Sequence, residues 1–66
     1  MTKQDAEKLV LGLPVAAAEA AMQAAGGSLR VWILDGVDQV GLDNLAVDRA
    51  NVEVSGGVVT RVVMLG

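Results

Sequence analysis

The segment ANVEVSGGVVTRVVML, Ala50 to Leu65, leaves this chain little choice of fold. Two runs rich in β-branched residues flank Ser55-Gly56-Gly57. Alternation with a period of two predicts strands. Paired glycines between them supply the positive-φ freedom that a tight hairpin demands. Two antiparallel strands follow, with Val52 and Val54 turned to a core and Glu53 to the opposite face. Arg61 then lies close enough to Glu53 for a cross-strand ion pair.

Cover for the apolar face comes from upstream. In LPVAAAEAAMQAAGG, Leu13 to Gly27, Pro14 suits a first helical turn and the alanines carry the highest helix propensity. Gly26-Gly27 is a strong stop. This is the main helix, with Val15, Ala18, Met22 and Ala25 spaced to face the core and alanines small enough to let it lie close on a sheet. Ahead of it, Thr2 and Asp5 resemble a capping box, and a short helix over Lys3 to Val10 is expected to end near Gly12. SLRVWIL, Ser28 to Leu34, alternates Leu29, Val31 and Ile33 against Arg30, Trp32 and Leu34 and predicts another strand. Trp32 is expected to pack in the core or on the sheet face.

The expected class is α+β, one domain over residues 1–66. One main helix packs on a small mixed sheet, a parallel pair plus the C-terminal antiparallel hairpin. A long exposed loop joins the first and second strands. A chain this short buries only about 60% of its unfolded surface, so its core is thin. With no cysteine, stability rests on aliphatic packing, which 53% hydrophobic residues make feasible.

Composition narrows the function classes. The net charge is −3, Trp32 is the only aromatic residue, and there is no basic stripe; nucleic-acid binding is not expected. No apolar run is long enough to cross a bilayer. The first ten residues lack the apolar stretch of a signal peptide, so the expectation is a cytoplasmic protein or an already trimmed secreted form. With neither histidine nor cysteine, and with no base near Ser28, Ser55 or Thr60 in any motif, no enzyme is expected. No cofactor or metal is expected either: Asp35, Asp38, Asp43 and Asp48 do not follow the alternating spacing and closing Glu of an EF-hand.

Those four acids sit in LDGVDQVGLDNLAVDR, Leu34 to Arg49, the one stretch with no sustained period. A long aperiodic loop inside a small domain is usually functional or disordered.

Here the chain resembles a known family. DRANVEVSGGVVTRV, Asp48 to Val62, is similar to the strand–turn–strand of bacterial serine-protease inhibitors related to the potato inhibitor I family. LVLGLPVAAAEAAM, Leu9 to Met22, resembles the segment leading into that family's helix, and LRVWILDG, Leu29 to Gly36, its first strand and the polar turn that opens the binding loop. The resemblance runs roughly from Leu9 to Gly66.

It implies a serine endopeptidase inhibitor, with residues 36–47 as a substrate-like loop and Val40, Gly41, Leu42, Asp43, Asn44 and Leu45 as the presented strip. Gly41-Leu42-Asp43 matches the family's triplet, in which Thr commonly stands where this chain has Gly41. That makes Leu42 the P1 residue, filling the protease S1 pocket, and Asp43 the P1′ residue. Counting back from Arg49 without a gap gives the second register, with Asp43 at P1. An apolar P1 suits subtilisin-like or chymotrypsin-like targets. Arg49 and Asn51 stand where the family carries the residues that brace the loop from the next strand. The planar Arg49 fork can hold two carbonyls or a carboxylate such as Asp43, with Asp38 and Asp48 as competing partners. The second reading is a non-inhibitory interaction module or a homodimer on the same scaffold, with exposed Val and Leu of the loop or a sheet edge at its interface.

Overall fold

The computed structural model describes residues 1–39, 46 and 48–66. It contains two helices, α1 (Lys3–Val10) and α2 (Val15–Ala24), and four strands: β1 (Ser28–Leu34), β2 (Val37–Asp38), β3 (Arg49–Ser55) and β4 (Val58–Leu65). The strands form one mixed sheet in the order β2-β1-β3-β4. β1 and β3 run parallel, while the β1–β2 and β3–β4 pairs are antiparallel.

Local chemistry accounts for both helices. The Thr2 hydroxyl accepts from the Asp5 backbone N–H at 3.1 Å, and the Asp5 carboxylate accepts from the Thr2 N–H at 3.0 Å. This capping box satisfies two helix-end donors reciprocally. α1 stops in a tight turn with Gly12 at φ +80°, closed by Leu13 N–H to Val10 O. α2 ends in a Schellman motif: Gly26 at φ +84° donates to Gln23 O, and Gly27 donates to Met22 O. Pro14 is the N-cap of α2 rather than its first helical residue, and it bridges to Val58 of β4.

Both helices lie on one face of the sheet, α1 over β4 and α2 over β1. Between the layers are Ala6, Val10, Ala18, Met22, Ala50, Val52, Val54, Val59 and Val62, each essentially inaccessible to solvent. Burial of a valine or methionine side chain contributes roughly 1.5–3 kcal/mol, so this aliphatic cluster stabilises the domain without disulfides. α1 contributes Ala6 and Val10 to it, making the short helix a full partner of the main one.

Three sequence expectations need correction. Ala25 is exposed, because it is the C-cap of α2 and lies beyond the last turn that meets the sheet. The alternation in β1 breaks at a bulge: Val31 pairs with Val52, but Ile33 pairs with Glu53 and Leu34 with Val54. The extra residue, Trp32, therefore moves Ile33 into the row of Glu53, on the face opposite the core. Finally, residues 36–38 are not part of an irregular loop. Asp35 (φ +49°) and Gly36 (φ +81°) form a two-residue turn of the mirror-image type that matches strand twist. Behind that turn, β2 pairs back on β1 through Leu34–Val37 and Ile33–Asp38.

Candidate functional site

The helix-free face of the sheet carries Arg49 and Asn51, the two residues that the sequence marked as braces. Alternation along β3 turns Ala50, Val52 and Val54 inward and Arg49, Asn51 and Glu53 to this face. Register then sets the neighbours. Asn51 lies between Arg30 of β1 and Met64 of β4, and Glu53 lies between Ile33 and Arg61. The Glu53–Arg61 pair closes at 3.3 Å, as the alternation predicts. Arg30 stacks its guanidinium 5.1 Å from the Trp32 ring centroid, an arrangement that covers the half-buried ring with a delocalised cation.

Entry to β3 is tightly defined. Asp48 has a left-handed backbone, φ +53°, and its carbonyl accepts from Ser28 N–H at 3.1 Å. Gly27 lies against that carbonyl so closely that a Cβ on Gly27 would collide with it and with the tip of Met22. The second glycine of the helix stop thus also gives β3 room to enter beside β1.

Arg49, the next residue, is bound to the end of the chain. Its Nε and Nη2 donate to Gly66 O at 3.3 and 3.1 Å, while its own carbonyl accepts from Gly66 N–H at 2.9 Å. Asn51 Nδ2 donates to the same Gly66 O at 2.9 Å and to Met64 O at 3.2 Å. These two carbonyls orient the carboxamide with its donor toward β4, which leaves Oδ1 facing away from that strand. Asn51 is 0% exposed, and among the described residues its Oδ1 has no hydrogen-bond partner. An unsatisfied buried acceptor costs about 1–3 kcal/mol. What joins Asn51 to Arg49 is the Gly66 carbonyl, which accepts from both side chains.

The other end of the sheet holds a link that sequence reasoning missed. Asp35 Oδ1 accepts from Gly56 N–H at 3.0 Å, and Asp35 N–H donates to Val54 O at 2.8 Å. The carboxylate at the head of the β1–β2 turn thereby ties it to the β3–β4 turn. The Asp-Gly dipeptide after an alternating run is the strongest short-range sign of the β1–β2 turn itself, but it carries no sign of the bond to Gly56. β2 ends with Gln39 N–H donating to Trp32 O at 2.6 Å.

The proposed strip Val40, Gly41, Leu42, Asp43, Asn44 and Leu45 lies outside the described residues. Among the described residues, no group of three or more carboxylates converges into a metal-ligating set, and no helix is long and apolar enough to cross a membrane. No protein family, curated protein or solved structure matches this chain.

Proposed function

We propose that this protein inhibits serine endopeptidases, presenting Val40–Leu45 to the protease with Leu42 as P1 and Asp43 as P1′. The observation that carries the reading is that the residues on both sides of this segment are fastened to the sheet. On one side β2 pairs with β1, and Gln39 N–H bonds to Trp32 O. On the other, Asp48 O bonds to Ser28 N–H, and Arg49 is held at Gly66. The family resemblance supplies the rest, with Leu42-Asp43 in the position of its scissile pair.

Strand register adds support. Asp38 stands beside Ile33 and Arg49 beside Ser28, so the connection travels about 16 Å along β1. Eleven peptide links from Asp38 to Arg49 can reach about 36 Å. The connection thus has length to spare for a segment that projects from the sheet.

Fixed ends explain how such a segment inhibits rather than being consumed. Holding it in the bound form in advance removes the ordering cost that a flexible substrate meets on binding. When the protease serine attacks the Leu42 carbonyl, the bond from Leu42 C to Asp43 N breaks and an acyl-enzyme forms. The new Asp43 amine remains tethered through β3, so it re-forms the peptide bond instead of diffusing away.

Titration of subtilisin and chymotrypsin activity against wild type, Leu42→Asp and Asp43→Ala tests the reading. Wild type should inhibit at micromolar concentration, and Leu42→Asp should weaken inhibition at least about 100-fold, because it buries an unpaired charge in an apolar S1 pocket. Absence of inhibition by wild type overturns the function. An acidic P1 calls for a protease specific for Glu or Asp, so inhibition of such an enzyme that is lost in Asp43→Ala and kept in Leu42→Asp selects the second register.

The self-associating reading draws on Leu34 and Val37, 40% and 61% exposed on the β1–β2 hairpin. Against it stand the sheet edges: β2 is two residues long, and β4 carries two register shifts. Short and bulged edges oppose edge-to-edge pairing.

A further inference from the structure

We propose that Asp35 is a positioning residue for the inhibitory segment, its carboxylate locking the turn that leads into that segment onto the turn between β3 and β4. The inference rests on the inhibitor reading and adds to it a residue that lies outside the segment and on the far end of the sheet from Arg49.

The turn alone does not call for this carboxylate. A two-residue turn with positive φ at both positions is served by Gly-Gly or Asn-Gly as well as by Asp-Gly, and the β3–β4 turn of this chain uses Gly56-Gly57, at φ +60° and +81°. Asp35 does more than turn the chain. It accepts from Gly56 N–H through Oδ1 and donates its own N–H to Val54 O, so two bonds cross from the first hairpin to the second.

β2 needs such a tether. It is two residues long and exposed throughout, with Val37 61% accessible, so almost no apolar burial holds it in place. The position of Gln39, from which the proposed inhibitory strip departs, therefore depends on the turn and on what the turn is tied to. A carboxylate accepting a backbone N–H forms one of the stronger hydrogen bonds available to a surface turn. Arg49 secures the segment's exit and Asp35 its entrance.

The test compares wild type with Asp35→Gly and Asp35→Asn. Glycine keeps the positive φ and removes the carboxylate, so the turn still forms. Asparagine keeps both the left-handed backbone and an acceptor oxygen. Three quantities are read: the inhibition constant for subtilisin, the rate at which the protease cleaves the bound inhibitor, and amide hydrogen exchange at Gly56 and Gln39. Asp35→Gly should be cleaved about tenfold faster than wild type, the size expected for one charge-assisted hydrogen bond. Exchange at both amides should accelerate while the core valines keep their protection. Asp35→Asn should restore slow cleavage and slow exchange.

Unchanged Gln39 exchange in Asp35→Gly overturns the inference even where wild type inhibits. Faster exchange with unchanged cleavage also overturns it, since the tether would then be structural only. A wild type that inhibits neither subtilisin nor chymotrypsin overturns the functional reading instead, and with it the role given to Asp35 in inhibition. The exchange data then still report whether the carboxylate holds β2.

Discussion

Arg49 and Gly66 hold each other in both directions. The guanidinium donates twice to Gly66 O, at 3.3 and 3.1 Å, and Gly66 N–H donates back to Arg49 O at 2.9 Å. The first residue of β3 and the residue just past β4 thus close the end of the sheet, with Asn51 Nδ2 sharing the same acceptor at 2.9 Å.

Substituting this arginine should be costly even by lysine. Lysine presents a point charge and cannot reproduce two parallel donors in a fixed plane. Arg49→Lys should lose about 1 kcal/mol of stability in urea unfolding, the net value of roughly one hydrogen bond. Because Arg49 and Asn51 end on one carbonyl, Arg49→Ala and Asn51→Ala should be non-additive, the double variant departing from the sum by at least about 0.5 kcal/mol. Strict additivity would show that the two side chains act independently.

A methyl group at Gly27 should be poorly tolerated for a reason unrelated to turn formation. It would press on the Asp48 carbonyl and displace it from Ser28 N–H. Gly27→Ala should therefore destabilise by about 1–3 kcal/mol, the range for forced overpacking. Gly26→Ala meets no neighbouring atom but must place alanine at φ +84°, and it should cost about 1–2 kcal/mol. Thermal unfolding of both variants separates contact from conformation: only Gly27→Ala should also shift the amide resonances of Ser28 and Arg49.

Acid should loosen α1 before the core. The Asp5 carboxyl is held below the usual carboxylate range, first by the Thr2 backbone N–H and then by the Thr2 side chain. A folded value below the unfolded one means that its contribution is present above the unfolded value and disappears as pH falls through the folded value. Amide exchange in the first turn of α1 should accelerate over that acidic window, while Val52 and Val54 stay protected. Asp5→Asn should remove this pH dependence. An acid response unchanged in Asp5→Asn would show that another group controls the helix start.

Much of the architecture was legible because its signals act over a few residues. Thr2 and Asp5 are three positions apart, Gly26-Gly27 directly follows the helix it ends, and Val52, Glu53 and Val54 alternate within one strand. Hydrogen-bond closure and side-chain periodicity at this range depend little on the rest of the chain. Asp35-Gly36 belonged to the same class of signal, yet the acid-rich, aperiodic residues after it obscured the hairpin.

By itself, the sequence determined the two helices, their stops, the glycine hairpin and the aliphatic character of the core. Only tertiary structure decided that Trp32 bulges and moves Ile33 beside Glu53, that Gly27 meets Asp48, that Asp35 reaches Gly56 and that Arg49 grips Gly66. Each of these joins residues on different elements, and the Asp35–Gly56 and Arg49–Gly66 bonds span 21 and 17 positions. Local preference is blind to such pairings. They exist only once burial of the valines has stacked β1, β3 and β4 in register and brought distant donors and acceptors within reach.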